Sequence, residues 1–118
     1  MVKREKQRYL GFTILGPDKP TKREVNNEFW KEYTMLFGTI GAANSGMYLL
    51  EYDEEEKKGI VRIRHDMINN LTICCALMRE INDQKSVVHR IGVSGTIKGV
   101  TKKMGEKVIS EEIKDLFK

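Results

Sequence analysis

The sequence predicts an α+β domain in which a four-stranded antiparallel sheet is backed by two helices, with further helix at the C-terminal end. Three observations carry this. Apolar residues alternate with period two from Arg8 to Leu15, they recur at helical spacing from Val25 to Phe37, and a second round of strand, strand, helix and strand follows. A chain of 118 residues with 40% apolar composition is enough for one core and too short for two ordinary ones, so residues 1–118 are read as a single domain.

The elements follow in order. Leu10, Phe12 and Ile14 alternate with Tyr9, Gly11 and Thr13 in a first strand that Gly16-Pro17-Asp18 ends. Thr21 with Glu24 three residues later is a capping-box pattern, and Val25, Phe29, Tyr33, Leu36 and Phe37 form one stripe of a helix running to Gly38. Residues 41–46 read as a flexible connector, Met47 to Tyr52 as the second strand, the acidic run from Asp53 as a solvated hairpin tip, and Gly59 to Arg64 as the returning strand. Asp66 is expected to cap a second helix with Met67, Leu71, Cys74, Cys75 and Met78 on one stripe, closed by residues 82–85. Ser86 to Val93 is the fourth strand. A helical C-terminus is expected from Thr96, broken near Gly105 and resumed from Ser110 to Phe117. The order is the split βαβ, ferredoxin-like (RRM-like) α/β sandwich.

Charge narrows the function. The net charge is +4, yet residues 1–23 carry seven Lys/Arg against two acids, whereas residues 51–58 carry five acids against two lysines. A basic terminus and a pI of about 9.1 fit contact with a polyanion, although blocks of like charge are also common as solvated surface. A mean hydropathy of -0.47, no apolar run near the ~20 residues of a membrane span and no signal-peptide pattern point to a cytoplasmic protein without membrane contact. The adjacent Cys74 and Cys75 have poor geometry for a disulfide and read as small buried hydrophobes.

The most informative segment runs from His89 to Met104, where a strand stops at Ser94-Gly95-Thr96 and opens into a helix with Lys98, Lys102 and Lys103 outside its apolar stripe. The first amides of a helix have no partner within it, so this turn suits an oxyanion such as a backbone phosphate; an ordinary solvated basic face is the plain alternative. The third strand departs from the aromatic pattern of RNA-recognition motifs. If Val61 and Ile63 face the core, Arg62 and Arg64 face the other way beside Tyr9 and Thr13, either for RNA contact or as edge groups paired with the acidic tip.

Catalytic signatures are weak. Gly92-Val93-Ser94-Gly95-Thr96 lacks the second glycine of a nucleophile elbow, and Ile97 precedes Lys98 where a P-loop needs glycine. His65 and His89 lack further ligands at metal spacing, and the acids from Asp53 to Glu56 are contiguous on a turn rather than gathered around a cleft. The short GxxG patterns at Gly38–Gly41 and Gly92–Gly95 are common by chance. Phe29, Trp30 and Tyr33 read as packing residues rather than a base-stacking platform. No catalytic or metal-binding residue is assigned.

Arg8-Tyr9-Leu10, the stretch from Leu50-Glu51-Tyr52-Asp53 to Gly59-Ile60-Val61-Arg62, and above all Gly92-Val93-Ser94-Gly95-Thr96-Ile97 resemble the archaeal ribonuclease P protein component 2 family, related to a subunit of eukaryotic ribonuclease P and MRP. The resemblance runs over nearly the whole chain. It implies a ferredoxin-like fold and a non-catalytic, RNA-binding subunit of the ribonuclease P ribonucleoprotein, the endonuclease that removes the 5′ leader from precursor tRNA. Catalysis there belongs to RNA and magnesium, with no cofactor bound by the protein. It implies as partners the catalytic domain of the ribonuclease P RNA, ribonuclease P protein component 3, the other protein subunits and, through the holoenzyme, precursor tRNA. The RNA role would fall on Arg8, Arg62, Arg64, Ser94, Gly95, Thr96, Lys98, Lys102 and Lys103, and the protein partner on exposed apolar residues of the helices. Cys74-Cys75 departs from a helix often rich in alanine in relatives. The competing expectation is a ferredoxin-like domain for protein interaction or small-molecule binding, with an incidental basic surface.

Overall fold

The computed structural model describes residues 6–108, with side chains described as far as Met104. Its chain order is β1 (Gln7–Leu15), α1 (Lys22–Asn44), β2 (Tyr48–Asp53), β3 (Lys58–Arg64), α2 (Ile68–Leu77), β4 (Glu80–Ile81), β5 (Gln84–Lys85), β6 (Val87–Ser94) and α3 (Ile97–Val108). Four strands form an antiparallel sheet in the order β2-β3-β1-β6, and β4 pairs with β5 in a separate small hairpin. The predicted ferredoxin-like architecture is the one observed.

Alternation decides which side of the sheet carries the core. Leu10, Phe12 and Ile14 of β1 and Val61 and Ile63 of β3 are buried on the face that α1 and α2 cover, together with Val25, Phe29, Tyr33, Leu71 and Cys74. Phe12 packs tilted on Phe29 at 5.2 Å between centroids and lies stacked with Tyr52 at 6.3 Å, so the aromatic residues of α1 are core, as their spacing predicts.

The capping box forms as the sequence predicts. The Glu24 amide donates to Thr21 Oγ1 at 3.2 Å, and the Thr21 amide donates to Glu24 Oε1 at 2.9 Å. These hydrogen bonds hold the Glu24 carboxyl below its ordinary pKa.

Four expectations are corrected. First, the helical run breaks at Gly38 as expected, but the chain beyond it is not a connector. That residue takes φ 81 and ψ 167, a kink glycine permits, and the helix resumes to Asn44 where a connector was expected. Burial of Ala42 and the wholly buried Ser45, whose hydroxyl donates to the Ala42 carbonyl at 2.7 Å, fix this second segment. Second, Asp66 does not cap α2: it sits in a 3-10 turn (His65–Met67), and its carboxylate accepts from Arg64 at 3.1 Å. Third, residues 82–85 do not close a helix. Asn82 and Asp83 adopt φ 51 and 63, the left-handed pair that a two-residue hairpin turn needs, and join β4 to β5. Fourth, α3 continues through Gly105 to Val108 without the expected break, and the predicted helix from Ser110 to Phe117 lies outside the described residues.

Candidate nucleic-acid interface

Two of the cross-strand rows on the face of the sheet opposite the main core lie next to the turn into α3. One row is Glu51, Ile60, Gly11 and Gly92, read across β2, β3, β1 and β6. Its two glycines sit in adjacent strands, which leaves a trench in the sheet where another element can approach the backbone. Helix α3 occupies it: a Cβ on Gly11 would stand 2.6 Å from Met104 Sδ and 3.2 Å from Val100 Cγ2, and one on Gly92 would stand 3.1 Å from Lys103 Cδ. Val100 is wholly buried as a result. The C-terminal helix therefore covers part of the face on which RNA-recognition motifs carry their aromatic residues.

The neighbouring row is Tyr48, Arg62, Tyr9 and Ser94, again one residue from each strand in the same order. Tyr48 remains exposed, with the Arg62 guanidinium 5.5 Å from the centroid of its ring. Ser94 ends β6 and leads into Gly95, whose would-be Cβ lies 3.4 Å from Arg8 Nη1. Arg8, Arg62, Ser94 and Gly95 are thus gathered at one end of the sheet, and α3 starts beside them.

The other residues singled out by the sequence have more specific surroundings. Arg64 donates to the Asn44 carbonyl at 3.3 Å and to Asp66 at 3.1 Å, tying the end of α1 to the turn before α2. Its ion-pair partner is Asp66 and not the acidic hairpin tip. That tip is itself anchored: Glu55 pairs with Lys19 at 2.7 Å, and Lys57 Nζ donates to the Gly16 carbonyl at 2.6 Å. Thr96 is the N-terminal cap of α3, accepting from the Gly99 amide at 3.0 Å, and Ser94 Oγ accepts from the Thr96 amide at 3.3 Å. The turn therefore satisfies donors with its own hydroxyls as well as presenting them. Lys103 lies along Gly92 and donates to the Val93 carbonyl at 2.5 Å, a structural engagement, whereas Lys98 and Lys102 are exposed one turn apart on α3.

Tyr48 is the residue that sequence reasoning missed. Its signal is the alternation of β2: Met47 and Leu49 are buried, so Tyr48 between them must face outward beside Arg62. Cys74 and Cys75 are buried free thiols whose pKa values burial pushes up to about 12, which removes them from nucleophilic chemistry near neutrality. Among the described residues no group of three or more His, Cys, Asp or Glu side chains is placed to hold a metal ion, and no helix is long and apolar enough to cross a membrane.

These features define a class: a ferredoxin-like α+β domain whose sheet is partly covered by its own C-terminal helix and whose open end is basic. The sequence profile of the Rpp14/Pop5 family matches residues 8–105, so the chain belongs to that family. It is 34% identical to ribonuclease P protein component 2 of Pyrococcus abyssi over 100 residues, covering 85% of each chain. The component 2 protein of Thermococcus gammatolerans is also 34% identical over 100 residues, 85% of this chain and 83% of that one. A chain in the cryo-EM structure of yeast ribonuclease MRP shares the fold, with a TM-score of 0.65 at 13% identity over 98% of both chains.

Proposed function

We propose that the chain is an RNA-binding protein subunit of ribonuclease P, supporting the catalytic RNA in removing the 5′ leader from precursor tRNA and contributing no catalytic group itself. The observation that carries this reading is the placement of Arg8, Arg62, Ser94 and Gly95 at one end of the sheet, beside a helix on which Lys98 and Lys102 are exposed, in a member of this family. Guanidinium groups and outward lysines in such an arrangement neutralise phosphates and fix register without reading sequence. In this reading the magnesium that cleavage requires is held by the RNA. In the same reading the holoenzyme is cytoplasmic and ribonuclease P protein component 3 is the direct protein partner. Exposed Met35 and Ile40 of α1 and Ile73 and Leu77 of α2 supply apolar surface for that partner.

Reconstitution tests the proposal. Ribonuclease P RNA is probed chemically and assayed for 5′-leader cleavage with component 3, with and without this chain. Protection within the catalytic domain and a higher cleavage rate at limiting magnesium are expected. Unchanged footprints and unchanged cleavage would sink the reading.

A further inference from the structure

We infer that the row Tyr48–Arg62–Tyr9 is a stacking site for an unpaired nucleobase, distinct from the lysine face of α3; the inference rests on the RNA-subunit reading and adds a chemical mode to it. The sheet register places the three residues side by side on one face, each paired with the next across adjacent strands. Neighbouring strands are about 4.8 Å apart, so a ring and a guanidinium in adjacent strands span a surface the size of a base. Tyr48 keeps 53% of its surface exposed although it belongs to a sheet face that α3 covers only one row away. An exposed tyrosine with arginine 5.5 Å from its ring centroid offers two flat faces for a third planar group.

Charge selects the occupant. The same end of the sheet carries Lys6 and Arg8, and among the described residues the acid there, Asp66, is engaged by Arg64. A row of two aromatic rings with a guanidinium between them suits a stacked base whose phosphate meets Arg62, and it disfavours an acidic helix, which has no planar group to offer Tyr48. A fully paired duplex cannot present a base this way, because its bases are stacked within the helix. The site therefore takes a bulged or single-stranded nucleotide.

The test uses the full chain and a short single-stranded oligoribonucleotide carrying one 2-aminopurine, alongside the duplex of the same sequence. Binding of the single strand is expected to quench the probe. Tyr48→Ala should remove the quench and weaken single-strand binding about tenfold, with less than about a twofold change for the duplex. Tyr48→Phe should keep both quench and affinity, and Arg62→Lys should lose affinity with the salt slope intact, since charge persists and planarity does not. Thermal melts establish that each variant is folded, and crosslinking of a 5-bromouridine oligonucleotide to the Tyr48 peptide reads the contact in the unaltered protein. If Tyr48→Ala retains quench and affinity while the parent still binds ribonuclease P RNA, the stacking site is wrong and the subunit reading stands. If the parent fails to bind ribonuclease P RNA even with component 3, both fall.

Discussion

Met104 fills the space a side chain on Gly11 would need: a Cβ there would stand 2.6 Å from the Met104 sulfur. This pairing locks α3 onto the sheet, because Gly11 lies in β1, next to the centre of the four strands, and Met104 is almost two turns along a helix that begins beyond the edge strand β6. The contact fixes which part of the open face is closed and which is left for a ligand.

Gly11→Ala is expected to cost some stability, since its Cβ would meet both Cγ and Sδ of Met104, at 2.7 and 2.6 Å, and the unbranched side chain must change rotamer to clear it. Gly11→Val is expected to lift the helix, because Val100 Cγ2, at 3.2 Å from the same Cβ position, is β-branched and cannot follow. A loss of about 1–3 kcal/mol in denaturant unfolding should accompany faster amide exchange across α3. Unaltered exchange there would show that the trench does not hold the helix.

The lysines of α3 should separate by role. Lys98→Glu with Lys102→Glu should weaken RNA binding and flatten its salt dependence, by about 0.7 in log–log slope for each single-strand phosphate that is no longer neutralised. Lys103→Ala should act mainly on stability, since its stem covers Gly92 and its ammonium holds the Val93 carbonyl. Equal effects of all three on the salt slope would contradict the assignment.

The capping box gives an acid-side prediction. Thr21→Ala should cost about 1 kcal/mol of stability by exposing an orphan helix amide. Glu24 has a lowered folded-state pKa, from its hydrogen bond to the Thr21 amide first, so its contribution is present above the unfolded value and lost as pH falls through the folded one. Glu24→Gln should therefore lower stability near neutral pH and converge with the parent as pH falls through the folded pKa, which flattens the acid limb of a stability profile.

On the alkaline side the direction reverses. Burial pushes Cys74, Cys75 and Tyr52 up to about 12, so each favours the folded state fully below its unfolded pKa and loses that contribution as pH rises toward 12. The denaturant midpoint should hold near neutrality and fall above about pH 9. In native protein at neutral pH both thiols should resist a thiol reagent that labels them rapidly after unfolding; rapid native labelling would contradict their burial.

Comparison of particular elements shows where sequence is sufficient. The first strand, the capping box at Thr21 and Glu24, the hairpin and the fourth strand were legible because each depends on residues within a few positions of one another. The continuation of α1 past Gly38 was not, because it depends on Ala42 and Ser45 being buried by distant parts of the chain. The turn at Asn82-Asp83 carries a local signal, two residues that tolerate positive φ, but the flanking two-residue strands are too short for a period to show. The sequence offered RNA or the acidic hairpin tip as partners for Arg64 and RNA for Lys103; only their neighbours across the fold show Arg64 held by the Asn44 carbonyl and Asp66 and Lys103 by the Val93 carbonyl.

By itself the sequence determined the ferredoxin-like element order, the face of the first strand that carries the core, the uneven charge and the family resemblance. These are encoded in local periodicity and in short runs of residues. Tertiary structure alone decided that α3 lies in the Gly11–Gly92 trench and that Tyr48, Arg62 and Tyr9 share the uncovered row. Strand register and the path of a helix over a sheet are set by contacts between residues far apart in the chain, and no local pattern specifies them.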